Sequence, residues 1–91
     1  MQKMTLRKFF KTIDRLTLID RFIRDDGFVA TQPNIATQLG ISDRTVREDF
    51  VLLRELGAPM EIIGRPADGK GYCYPVSWSL QDALIDQINS R

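Results

Sequence analysis

Ninety-one residues, 43% of them hydrophobic and 27% charged, make one folded globular domain with a single small core, too short for a second and too apolar for disorder. The net charge of +1 is too small to announce nucleic acid by itself. With no histidine and one cysteine, Cys73, the chain has no His-assisted nucleophile, no internal disulfide and no converging metal-ligand set, so the reading is of a non-enzyme without metal or cofactor.

Nor does any apolar run approach the roughly 18 residues of a membrane span. The basic start MQKMTLRKFFK has no continuous apolar core and no small-residue cleavage site, unlike a signal peptide. The expectation is a cytoplasmic domain without a membrane partner. Charge is unevenly spread. Residues 1–24 carry seven Lys/Arg against Asp14 and Asp20, and residues 25–64 carry three against seven acids. The cationic start could follow phosphates, whereas the acidic middle argues against a purely electrostatic binder.

Leu6, Phe9, Phe10, Ile13, Leu16, Ile19, Phe22 and Ile23 recur at three- and four-residue spacing, which predicts an amphipathic helix with one buried stripe. It runs from about Thr5 to Asp25, with Lys11–Thr12 the place for any interruption. Asp26-Gly27 ends it, the glycine suiting a left-handed position. Its Lys and Arg residues read as a solvated face before a DNA contact.

Phe28-Val29-Ala30 is a short extended piece, with the character of a small strand. Thr31 caps a two-turn helix with Pro33 near its start, where a missing N–H costs little. Ile35, Ala36 and Leu39 face inward. Gly40 permits a sharp turn, Ile41 plugs the corner, and Ser42 caps the next helix at once. Ala36 allows close approach of the two helices, and Ile41, Val46 and Phe50 fill the wedge between them. This is the helix-turn-helix arrangement.

The helix from Ser42 to Leu56 stops at Gly57. At about 100° per residue, Val46, Phe50 and Leu53 point inward. Arg44, Glu48, Val51 and Glu55 point outward, with Thr45 and Arg47 on the flanks. The N-terminal half of such a helix reads base edges, so Ser42, Arg44, Thr45, Arg47 and Glu48 are the candidate DNA contacts. Arginine can grip guanine O6 and N7 with two hydrogen bonds, and Glu48 can accept from a cytosine amino group. The helix N-terminus and Ser42 suit a phosphate, and Asp43 suits the helix dipole. Without the surrounding motif, Arg44, Arg47 and Glu48 would read as a solvated, salt-bridged face. Leu52 and Leu56 pack on the first helix or the hairpin, or else on another subunit.

Met60-Glu61-Ile62-Ile63 and Tyr72-Cys73-Tyr74 are strand-like, separated by a turn-rich segment, residues 64–71. A hairpin follows, with Arg65 and Lys70 near its tip as candidate contacts to the DNA backbone or minor groove. Gly69-Lys70-Gly71 is too short for a nucleotide-binding loop. Tyr72 and Tyr74 share one strand face, and Cys73, on the other, is a small filler. Ser79 caps a last helix through Ile88. Leu80, Leu84, Ile85 and Ile88 form a stripe that either closes the domain with Trp78 or pairs with a second copy in a homodimer.

The expected fold is α+β, mainly α: a winged helix-turn-helix, with three helices and a β-hairpin wing, plus an extra C-terminal helix. Residues 1–78 form the DNA-binding unit and 79–91 a helix for docking or dimerisation. RLTLIDRFIRDDG, LGISDRTVREDFVLLRELGAP and GYCY, between about Leu16 and Trp78, resemble the N-terminal winged helix of WYL-domain transcription regulators. More distantly the chain is similar to DeoR-type and biotin-repressor-type winged helices. The resemblance implies sequence-specific double-stranded DNA binding, usually as a dimer on an inverted repeat, with Arg44, Thr45 and Arg47 as readers. Members of that family continue into a ligand-sensing domain, whereas this sequence stops at Arg91, as a fragment or a stand-alone regulator. A ligand-controlled switch is therefore not carried over. The competing expectation is a winged helix used only for protein–protein contact, favoured by the acidic middle.

Overall fold

The computed structural model describes residues 5–25, 27–63 and 71–90. Helices α1 (Leu6–Arg24), α2 (Gln32–Leu39) and α3 (Asp43–Glu55) precede strands β1 (Glu61–Ile63) and β2 (Gly71–Cys73), and α4 (Leu80–Asn89) closes the order. The strands pair antiparallel, with Glu61 opposite Cys73 and Ile62 opposite Tyr72. Three helices followed by a hairpin and a C-terminal helix make a winged helix-turn-helix.

Each helix starts on a hydroxyl cap. Thr5, Thr31, Ser42 and Ser79 accept the N–H three residues on, at 3.1–3.2 Å. This satisfies a donor that the first helical turn leaves without an intrahelical partner. Helix α1 is unbroken across Lys11–Thr12. Its end departs from expectation, because Gly27 is not among the positive-φ glycines. Asp25 caps the helix in extended conformation, and its carboxylate accepts the Gly27 N–H at 2.9 Å. A side-chain turn thus replaces the left-handed glycine.

The α1 stripe is also only partly buried. Leu16, Ile19 and Ile23 enter the core, whereas Leu6, Phe9 and Phe10 are exposed. Among the described residues, the core elements converge on the second half of α1, and none covers its first two turns. Ile35 and Ala36 from α2, Val46, Phe50 and Leu53 from α3, Ala58, and Leu80 from α4 complete the core. Of the stripe expected either to close the domain or to pair with a second copy, Leu80 closes the domain: it is 1% exposed and lies in the core. Leu84 packs partly against the same core, while Ile85 and Ile88 face outward.

Residues 28–30 form no assigned strand, yet Ala30 accepts the Tyr72 N–H at 2.8 Å. This single bond lays the segment beside β2. The approach is close: a Cβ on Gly71 would stand 3.1 Å from the Ala30 nitrogen. Tyr72 turns its ring edge-on to Phe50 at 4.7 Å, and Tyr74 does the same to Trp78 at 5.1 Å. The hairpin base is thereby fixed to α3 and to the approach to α4.

Candidate nucleic-acid interface

The turn between α2 and α3 sets the interface. Gly40 adopts φ 66° and ψ 36°, a left-handed conformation that costs a residue with a Cβ. The Ile41 N–H reaches back to the Ala36 carbonyl at 3.0 Å, and Ser42 begins the next helix directly. The inward side of α3 is then fully committed, with Val46, Phe50 and Leu53 no more than 1% exposed. Rotation of α3 is fixed by that burial, and its opposite side is presented outward.

Ser42, Arg44, Arg47 and Glu48 are exposed at the N-terminal end of α3, and Thr45 is half-buried beside them. Ser42 Oγ and Thr45 Oγ1 stand 3.0 Å apart and share one hydrogen bond, in which either hydroxyl can be the donor. Arg44 donates through Nε to Glu48 Oε1 at 3.1 Å. Their side chains are 82% and 63% exposed, so this i,i+4 pair contributes only about 0.3–0.5 kcal/mol. A guanine edge or a phosphate can displace it. Arg47 forms no ion pair among the described residues. Arg65 and Lys70 lie outside the described residues. Behind the wing, the Arg54 guanidinium sits over the Tyr72 ring at 5.9 Å from its centroid, within range for a cation–π contact.

Two charged residues escaped sequence reasoning. Asp49 is 1% exposed on α3 and Asp20 is 2% exposed on α1. Asp49 accepts both Nε and Nη2 of Arg15, the latter at 2.8 Å. Asp20 accepts from the Tyr74 hydroxyl at 2.8 Å and from Arg24 Nε at 3.1 Å. The signal for Asp49 was available: three residues after Val46, it lies about 60° from the inward direction. Arg15 and Arg24, read as members of a solvated basic face, are instead engaged in holding buried carboxylates. The hydrogen bond from Arg15 to Asp49 raises the guanidinium pKa further above its ordinary value. Cys73 is half-buried, and burial followed by the charge of Glu61 raises its pKa, which fits a filler and not a reactive thiol.

Among the described residues, no helix is long and apolar enough to cross a membrane. No group of three or more His, Cys, Asp or Glu among them is placed to hold a metal ion.

A sharp αL turn, a second helix held by its inward side and a following hairpin define a helix-turn-helix protein of the winged type. The family model described as an HTH domain matches residues 14–72, and the chain belongs to that helix-turn-helix family. The match begins within α1 and ends in β2. No curated protein and no solved structure matches the chain at a significant level. Membership in this family points to DNA binding by a helix-turn-helix regulator.

Proposed function

We propose that the protein is a transcriptional regulator that binds a specific double-stranded DNA sequence, inserting the first two turns of α3 into the major groove. The carrying observation is that Arg44 and Arg47 are both exposed at the N-terminal end of α3, on a helix whose rotation is fixed by complete burial of Val46, Phe50 and Leu53. Thr45 and Ser42 complete the reading end, and the N-terminus of α3 offers backbone N–H groups to a phosphate. Glu48 has two roles in this reading. It holds Arg44 in the free protein and accepts from a cytosine amino group when bound. Arg65 and Lys70, in the turn-rich sequence between β1 and β2, supply backbone or minor-groove contacts. Within the helix-turn-helix family, Ser42-Asp43-Arg44-Thr45-Val46 and Leu56-Gly57-Ala58-Pro59 support a WYL-type regulator, and a cytoplasmic location goes with that reading.

Selection of bound sites from a random DNA pool, followed by salt titration on selected and scrambled duplexes, tests this function. A defined motif and a linear fall of log affinity with log salt are expected. Absence of any salt-sensitive DNA binding at micromolar protein would leave the winged helix as a protein-interaction module.

A further inference from the structure

The exposed face of α3 is divided lengthwise by charge. Arg47 and Arg54 stand seven residues apart, and so do Glu48 and Glu55. Each pair therefore drifts only about 20° around the helix, and the two pairs lie about 100° from one another. All four residues are exposed. The hairpin identifies the two edges. Tyr72 of β2 meets Phe50 edge-on at 4.7 Å, and the Arg54 guanidinium, one turn further along α3, sits over the same ring at 5.9 Å from its centroid. The arginine edge is thus the one beside the hairpin, and the glutamate edge is turned away from it. Among the described residues, Arg54 enters no ion pair. A guanidinium that meets a ring with its face keeps its N–H fork for another acceptor.

We propose that Arg54 contacts a phosphate of the DNA backbone where α3 meets the hairpin, with Tyr72 as the side chain that positions it. The inference rests on the DNA-binding reading above and extends it past the first two turns of α3. Distance favours a phosphate over a base. Arg54 lies about 10 Å along the helix from Arg47, comparable with the roughly 12 Å width of the major groove. With Arg47 at a base edge, Arg54 comes to the rim of the groove, where the phosphates stand. Charge favours the strand on the hairpin side, because Arg47 and Arg54 face it while Glu48 and Glu55 repel a backbone on the other edge. The planar guanidinium matches two phosphate oxygens at once. Its place over Tyr72 orders the side chain before DNA arrives, so less rotamer freedom is lost on binding.

Methylphosphonate scanning of the selected duplex, in which one phosphate at a time is made uncharged, tests the contact on the full chain. Wild-type affinity is expected to fall at one phosphate to which Arg54→Ala is indifferent. Arg54→Ala is also expected to weaken selected and scrambled duplexes alike and to lower the salt slope by about 0.9, with base preference and far-UV circular dichroism unchanged. Arg54→Lys, which restores the charge, is expected to restore the slope. Tyr72→Phe, which keeps the ring, should leave the response at that phosphate intact, and Tyr72→Leu should weaken it. Specific binding with the same phosphate profile in wild type and Arg54→Ala overturns the contact and leaves the DNA-binding reading standing. A lysine variant that loses the slope as the alanine variant does overturns it too, since the loss would then be structural. Absence of salt-sensitive binding by the wild-type chain overturns both.

Discussion

Arg15 of α1 grips Asp49 of α3 through two parallel hydrogen bonds, and the carboxylate it holds is almost fully buried, with 1% of its side chain exposed against 28% for the arginine. The pair ties α3 directly to α1. Its two halves differ in what their removal leaves behind. Without Asp49, the guanidinium can turn to water; without Arg15, a carboxylate remains buried and unpaired. Arg15→Ala should therefore cost about 3 kcal/mol or more, and Asp49→Asn roughly 1 kcal/mol. Urea unfolding of the two variants measures the difference. Equal losses, or the reverse order, would show that stranding a buried carboxylate is not what makes the pair costly to break.

Tyr74 and Asp20 form the second buried link, between the end of the hairpin and α1. Burial first, then the hydrogen bond to Asp20 and its charge, raise the Tyr74 pKa far above its ordinary value near 10. The folded state keeps a phenolic proton that the unfolded chain gives up. Stability from this group is thus complete below about pH 10 and declines as pH rises beyond it. Tyr74→Phe should lower stability by about 1–2 kcal/mol at neutral pH and flatten the alkaline decline. Thermal melts between neutral and alkaline pH check both effects, and an unchanged alkaline slope in the variant would assign the decline to other groups.

Base readers and backbone contacts should separate by their salt behaviour. Arg44→Ala and Arg47→Ala are each expected to cost about 1–3 kcal/mol on the selected sequence and to relax preference at one base pair. Lys70→Ala should weaken selected and scrambled DNA alike and reduce the salt slope by about one. Fluorescence anisotropy at several salt concentrations distinguishes the two patterns. Unchanged affinity and preference in both arginine variants would remove them from the reading surface.

Two glycines should respond to alanine for different reasons. At Gly40 nothing lies within 4 Å of the added Cβ, so the cost is conformational, about 1–2 kcal/mol for the left-handed backbone. At Gly71 the added Cβ meets the Ala30 backbone nitrogen at 3.1 Å. Backbone cannot rotate away as a side chain can, so Gly71→Ala should strain the Ala30–Tyr72 hydrogen bond. Hydrogen exchange at the Tyr72 amide should quicken in Gly71→Ala and not in Gly40→Ala beyond the global loss of stability.

Local chemistry made much of this chain legible. The capping hydroxyls of Thr31, Ser42 and Ser79, the left-handed Gly40 and the inward Val46, Phe50 and Leu53 all follow from interactions within one or two helical turns. Such interactions are encoded by spacing, so the sequence determined the helix-turn-helix, the hairpin and the side of α3 that faces outward. Tertiary structure alone decided which parts of those periodic patterns are covered. Leu6, Phe9 and Phe10 share the stripe of Leu16 and Ile19, yet stay exposed because, among the described residues, no other element covers the first turns of α1. Leu80 and Ile88 share the stripe of α4, yet one lies in the core and the other outside it. Asp49 and Asp20 are buried because Arg15 and Tyr74, 34 and 54 residues away, supply their partners. Periodicity specifies a direction from the helix axis. Whether that direction meets protein or water, and whether a charge there is paired, depends on residues distant in the chain.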